Sequence, residues 1–85
     1  MKEMQRRSGS TVRLDTSDKA CLRFGFKGGT RVKDPDKNKA TIIGVAKGTG
    51  CDSDENALYY QIDGKSYVEY YSTENLKDAG FKEIK

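Results

Sequence analysis

Residues 57–71, "ALYYQIDGKSYVEYY", hold all five tyrosines of the chain and decide how the rest must fold. Asp63-Gly64 lies between two runs rich in aromatic and β-branched residues. Both residues tolerate the left-handed conformations of a tight turn, so the stretch reads as a β-hairpin. Loop length then sets the register. A two-residue loop puts Leu58 opposite Glu69 and mixes apolar with charged side chains on each face. A three-residue loop with a left-handed Gly64 pairs even numbers with even and odd with odd. One face then gathers Leu58, Tyr60, Ile62, Ser66, Val68 and Tyr70, and the other Tyr59, Gln61, Lys65, Tyr67, Glu69 and Tyr71. At about 25 cal/mol per Å² of apolar area, burial favours this separation of faces by several kcal/mol. Tyr60 and Tyr70 are thereby expected in the core. Tyr59, Tyr67 and Tyr71 are expected on a second face, which is a binding patch, or an exposed set of good strand formers, or a surface covered by the N-terminal segment.

Outward from the hairpin, "STENLKDAG" (72–80) reads as a helical turn, with Ser72 or Thr73 as cap, Leu76 and Ala79 facing inward and Gly80 as terminator. "FKEIK" closes the chain as a strand carrying Phe81. On the other side, "TGCDSDENA" (49–57) is a loop, and "KATIIGVAKG" (39–48) is a buried strand in which Gly44 marks a bulge or bend. "TRVKDP" (30–35) is a short strand around Val32, stopped by Pro35. "ACLRFGF" (20–26) alternates Leu22, Phe24 and Phe26 and reads as a strand, with "VRLD" (12–15) as an edge strand or part of the tail. Residues 1–11 are expected to be disordered, 12–27 to pack on or extend the domain, and 28–85 to form it. Ile42, Tyr60, Ile62, Val68 and Phe81 are the expected core.

Eighty-five residues, 34% of them hydrophobic, make one domain with a small core. Residues 1–50 carry twelve Lys and Arg against five acids, for +7, and residues 51–85 four against eight, for −4. No stretch is apolar enough to span a membrane, and no signal peptide is evident, so a soluble, intracellular protein of the nucleus or cytoplasm is expected, with Cys21 and Cys51 as free thiols. Two cysteines, no histidine and no CxxC pair cannot supply a four-ligand zinc site. Asp52, Asp54 and Glu55 lack the spacing and glycine of an EF-hand loop. Neither cysteine has a base beside it in sequence, so no enzyme and no cofactor are expected.

From residue 28 onward the elements run strand, turn, strand, loop, hairpin, helical turn, strand. This order resembles the small five-stranded SH3-like barrel of Tudor, chromo-barrel, KOW and CAP-Gly domains. The residues that carry the resemblance are a glycine before the short "RV" strand (31–32), "KATIIGV" (39–45), and the "V-x-Y" strand (68–70) leading to "ENL" (74–76). The expected fold is therefore all-β, a five-stranded SH3-like barrel with a helical turn before its last strand. The resemblance implies a non-catalytic interaction module, a monomeric domain of a larger chromatin- or ubiquitin-pathway protein. Tudor readers hold methylated peptides in an aromatic cage. The loop "KDPDKNK" (33–39) has no aromatic to contribute to one.

Two ligand classes follow. In the first, Tyr59, Tyr67 and Tyr71 give contact area while Glu69 and Asp63 orient the cationic group of a basic or methylated peptide. In the second, Arg6, Arg7, Arg13, Arg23, Lys27, Arg31 and Lys33 neutralise the phosphates of a nucleic acid such as RNA and tyrosines stack on its bases.

Overall fold

The computed structural model describes residues 2–46, 57–71 and 75–84. Seven strands and two short helices are present: β1 (Lys2–Gln5), β2 (Thr11–Asp15), α1 (Asp18–Leu22), β3 (Arg31–Lys33), β4 (Lys39–Ala46), β5 (Leu58–Ile62), β6 (Glu69–Tyr71), α2 (Leu76–Ala79) and β7 (Lys82–Glu83). Every strand pairing is antiparallel. The fold is all-β, as expected, but it is a seven-stranded sheet that does not close on itself among the described residues.

Strand β4 organises the sheet. Its first half pairs with β3 (Val32 opposite Ala40), its last residues pair with β2 (Leu14 opposite Ala46), and β5 runs along it from Ala40–Ile62 to Val45–Leu58. The register on β5 shifts between Ile42 and Gly44, at the glycine expected to mark a bulge. The bulge reverses which face the side chains meet: Ala40, Ile42 and Val45 enter one core cluster and Ala46 enters another. Gly44 is required for a second reason. A Cβ there would stand 2.6 Å from the carbonyl oxygen of Asp15, so only glycine lets β2 approach β4 so closely.

The connections follow local chemistry. The β3–β4 turn is held by Asp34, a buried carboxylate that accepts hydrogen bonds from the Asp36 amide (2.9 Å), the Asn38 amide (2.8 Å) and Asn38 Nδ2 (3.2 Å). Helix α2 is capped by Asn75, whose side chain accepts from the Lys77 amide at 3.0 Å, and it ends at Gly80. Ser72 and Thr73, expected as caps, lie outside the described residues, as do Cys51, Asp52, Asp54 and Glu55 of the loop before β5.

Three expectations are corrected. Residues 2–5 are not a disordered lead-in: Met4 pairs with Val12 and Lys2 with Leu14 in a β1–β2 hairpin. The "ACLRFGF" stretch is not a strand. Ser17 caps α1 by accepting from the Ala20 amide, Cys21 faces inward and Leu22 is half exposed, while Phe24 and Phe26 reach the core from the turns that follow. A serine followed by an acid in the first turn is a helix start, and it outweighs a period-2 pattern three residues long.

The third correction is the hairpin register. Leu58 pairs with Tyr71, Tyr59 with Tyr70 and Tyr60 with Glu69, so even numbers oppose odd. Gly64 is left-handed (φ 85°), as expected, and the Lys65 amide donates to the Ile62 carbonyl at 3.1 Å, closing a β-turn over Asp63 and Gly64, but β6 begins only at Glu69, so the connection is longer than three residues. The separation of faces expected from a three-residue loop presupposes one wet face, and at Leu58–Tyr60 both sides of β5 are covered. On the inner side Leu58 and Tyr60 join Cys21, Phe24, Val32, Ile42, Leu76 and Phe81, with Ile62 and Tyr71 packed against them. On the outer side Tyr59, Ala57 and Val68 meet Val12, Leu14 and Ala46, with Met4 and Ile43 at the margin. The N-terminal hairpin covers the outer face, anchored by the Val68 amide donating to the Gln5 carbonyl at 2.9 Å.

Consequently Tyr59 is fully buried and Tyr70 is 52% exposed, the reverse of their expected places. Tyr59→Ala is expected to cost about 3 kcal/mol in urea denaturation and Tyr70→Ala less than about 1 kcal/mol. Equal costs, or the opposite order, would contradict this register.

Candidate functional site

The tyrosines expected on one open face are distributed among different environments. Tyr59 is interior, Tyr71 is half-buried with its ring edge-on to Phe81 at 5.2 Å, and Tyr67 is half-buried with the Arg7 guanidinium 5.8 Å from its ring centre. Tyr60, expected in the core, is there, packed edge-on to Phe81 at 5.0 Å. The continuous aromatic patch is not assembled.

Both carboxylates assigned to a cationic ligand already face arginines. Asp63 binds Arg31 through two parallel hydrogen bonds, Nη1 to Oδ1 at 2.7 Å and Nη2 to Oδ2 at 2.5 Å, and Arg31 Nη1 also donates to Thr41 Oγ1. The hydrogen bonds from Arg31, and then the charges of Arg31 and Lys39, hold the Asp63 carboxyl below its ordinary range. Glu69 lies 3.8 Å from Arg7. Since the pair is partly exposed, its contribution to stability is small, but it leaves Glu69 half committed.

The structure assembles a different site. Arg6, Arg7 and Ser8, at the end of the N-terminal hairpin, face Val68, Glu69 and Tyr70 across an open cleft of about 480 Å³ whose floor is Tyr59. Arg6 forms a parallel bridge with Val68, and its guanidinium lies 6.0 Å from the centre of the Tyr59 ring. The Tyr70 ring leans on Tyr59 at 5.8 Å, with its other face open. Beside it, β6 pairs only with β5 among the described residues, so its outer edge carries no strand beyond the bridge at Val68. Two arginines against one glutamate give the cleft a positive balance. Arg6 and Arg7 belonged to the nucleic-acid reading and Glu69 to the peptide reading. Tyr70 was assigned to the core. The alternation of Val12 and Leu14 in "TVRLD" was the signal that something would cover Tyr59 and turn Tyr70 outward.

The remaining basic residues do not gather around this cleft. Arg13 lies 3.9 Å from Glu3 on the β1–β2 ribbon, Arg23 stands over the Phe24 ring at 5.6 Å, and Lys27 is exposed before β3. Arg31 and Lys33 point outward from β3, since Val32 between them is fully buried.

Cys21, the free thiol among the described residues, is fully buried. Burial first, then Asp15 and Asp18, push its pKa up, which disfavours the reactive thiolate. No helix of the described residues is long and apolar enough to cross a membrane.

No protein-family model matches the chain, and no curated protein matches it.

Burial, and then the nearby Glu69 carboxylate, push the Tyr60 hydroxyl to a pKa of about 12 from an ordinary 10. Its folded-state pKa is raised, so the contribution to stability is complete below pH 10 and is lost as pH rises toward 12. In an alkaline titration followed by tyrosinate absorbance, a late step from Tyr60 is expected. It should be absent from the titration of Tyr60→Phe, whose stability should fall less between pH 10 and 12. A late step undiminished in Tyr60→Phe would contradict this environment.

Proposed function

We propose that the chain is a non-catalytic interaction module of the SH3-like barrel kind, which takes an extended, acidic peptide segment in the cleft between the N-terminal hairpin and β6. The strand order β7-β3-β4-β5-β6, with α2 immediately before the last strand, supports the barrel reading. A buried thiol with a raised pKa and a sequence without histidine support a binding rather than a catalytic role.

The observation that carries this reading is the Tyr70 ring, 52% exposed in an otherwise well-packed hairpin and set in a cleft with Arg6 and Arg7. Tyrosine and arginine are the residue types that dominate protein-binding hot spots, because they give large contact area and directional hydrogen bonding for little lost freedom. The edge of β6 that carries no strand among the described residues offers backbone partners to a segment adding beside it as a strand, and the side-chain specificity then comes from the cleft. The sign of the ligand changes from the sequence expectation. Asp63 is engaged by Arg31 and Glu69 faces Arg7, so neither carboxylate is left for the cationic group first envisaged, and because two arginines line the cleft with one glutamate, a partner carboxylate replaces that group.

Titration of isotopically labelled protein with an acidic peptide bearing a central aromatic residue, and with its sign-reversed basic counterpart, tests this. Amide shifts at residues 6–8 and 68–71 are expected for the acidic peptide, with affinity falling at least about tenfold in Tyr70→Ala or Arg7→Ala. Shifts produced there by the basic peptide alone, or acidic-peptide binding indifferent to Tyr70→Ala, would overturn the reading.

A further inference from the structure

The β-sheet brings together three lysines that the sequence separates. Lys33 on β3 is directly opposite Lys39 on β4, and on its other side directly opposite Lys82 on β7. Paired residues of antiparallel strands project from the same face, and Val32, the neighbour of Lys33, is buried on the inner side. Lys82, Lys33 and Lys39 therefore stand in one exposed row across three strands, with neighbouring strands about 4.8 Å apart.

Such a row is costly by itself, because like charges directly opposite each other across strands repel. Among the described residues, none of the three has a carboxylate within ion-pair distance. Of the nearby acids, Asp36 lies in the exposed β3–β4 turn, and three others are committed or turned away. Asp63, whose amide bonds to the Lys39 carbonyl, is held by Arg31. The Asp34 carboxylate closes its own turn, and Glu83 pairs with the inward-facing Val32. Along each strand, the next position on the same face offers Ile84 just past β7, Arg31 on β3 and Thr41 on β4, with Gln61 opposite Thr41 on β5. Apart from the half-buried Ile84, these are hydrogen-bonding groups, with no aromatic ring among them.

We propose that this outer face of β7, β3 and β4 binds the phosphodiester backbone of a nucleic acid, with Lys82, Lys33 and Lys39 each meeting phosphate charge. A protein partner would require a buried aromatic or aliphatic anchor at the centre of the contact, whereas Thr41, Gln61 and the lysines are polar and the aliphatic Ile84 lies at the β7 edge of the face. A phosphodiester chain presents an unbroken series of charges and is held without any such anchor. The lysines sit on strands, so their spacing is fixed before the ligand arrives. This surface is separate from the Tyr70 cleft and does not depend on the peptide reading. Of the basic residues singled out in the sequence only Arg31 and Lys33 lie on it. Lys82 comes from the half of the chain with net negative charge.

The test is fluorescence anisotropy of the full chain with a labelled oligouridylate about 20 nucleotides long, and with its duplex, over a range of salt concentrations. Three phosphate contacts predict that log K falls with log salt with a slope of about −2 on the single strand. Lys33→Gln should reduce the slope by about 0.7. The triple variant Lys33→Gln, Lys39→Gln, Lys82→Gln should remove most of the binding. A control triple of equal charge change, Lys2→Gln, Lys19→Gln, Lys65→Gln, should retain most of it. All six lysines are exposed, and circular dichroism verifies that both variants fold. Equal losses in the two triples would overturn the proposal in favour of general charge attraction. No binding to either probe would overturn it outright. Binding confined to phosphatidylserine vesicles, with neither nucleic acid bound, would assign the face to a lipid surface instead and likewise overturn it.

Discussion

Burial of Tyr59 between the hairpin and the N-terminal ribbon is the constraint on which the rest of the molecule depends. With Tyr59 inside and paired to Tyr70, the register of β5 on β6 is set, Tyr60 faces the inner core opposite Glu69, and Tyr70 is left on the surface. The ring also holds the ends of the chain's first hairpin in place: Val12 and Leu14 lie against it and Arg6 stands over it. A large aromatic buried this way contributes more than any single exposed contact in the structure. The hairpin could gain as much only by burying a different tyrosine, which a shift of one residue would require.

The two proposed binding surfaces are products of that arrangement and of β4. Because β4 is long enough to carry β2 and β3 on one edge and β5 on the other, it separates the Tyr70 cleft, built on β5, β6 and the N-terminal turn, from the lysine row on β7, β3 and β4. The Arg31–Asp63 pair, in which the guanidinium donates two hydrogen bonds to the carboxylate, sits between them and neutralises the acid that would otherwise oppose the end of the lysine row. The positive surplus of residues 1–50 is thus not a single basic arm. Part of it is offset by acids or laid over aromatic rings, as with Arg13, Arg23 and Arg31, and part is concentrated where strand register places it.

Local chemistry made much of the fold legible in the sequence. The strand around Val32, the long β-branched strand with its bulge at Gly44, the Asp63-Gly64 turn, the helical turn ending at Gly80 and the inward Phe81 all depend on residues within a few positions of one another. What was not legible depends on contacts distant in sequence. Period-2 reasoning separates a wet face from a dry one, so it assigned the tyrosines correctly only where one face was dry. At Tyr59 the second face is covered too, in part by Val12 and Leu14, more than forty positions earlier. The helix at Ser17 was missed because three alternating apolar residues were weighed above a serine cap. The lysine row could not be seen at all, since it needs the pairing of β3 with both β4 and β7.

The most direct measurement is amide hydrogen exchange at Val68, whose N–H is bonded to the Gln5 carbonyl in the contact that seats the N-terminal hairpin over Tyr59. If the hairpin covers Tyr59, Val68 exchanges as slowly as the Ala46 amide, which is bonded to the Ala57 carbonyl in the same outer cluster, and becomes fast when residues 1–10 are removed. Exchange of Val68 at the rate of an unstructured peptide in the intact chain, with Ala46 still protected, would show that the outer face is open and would contradict the account.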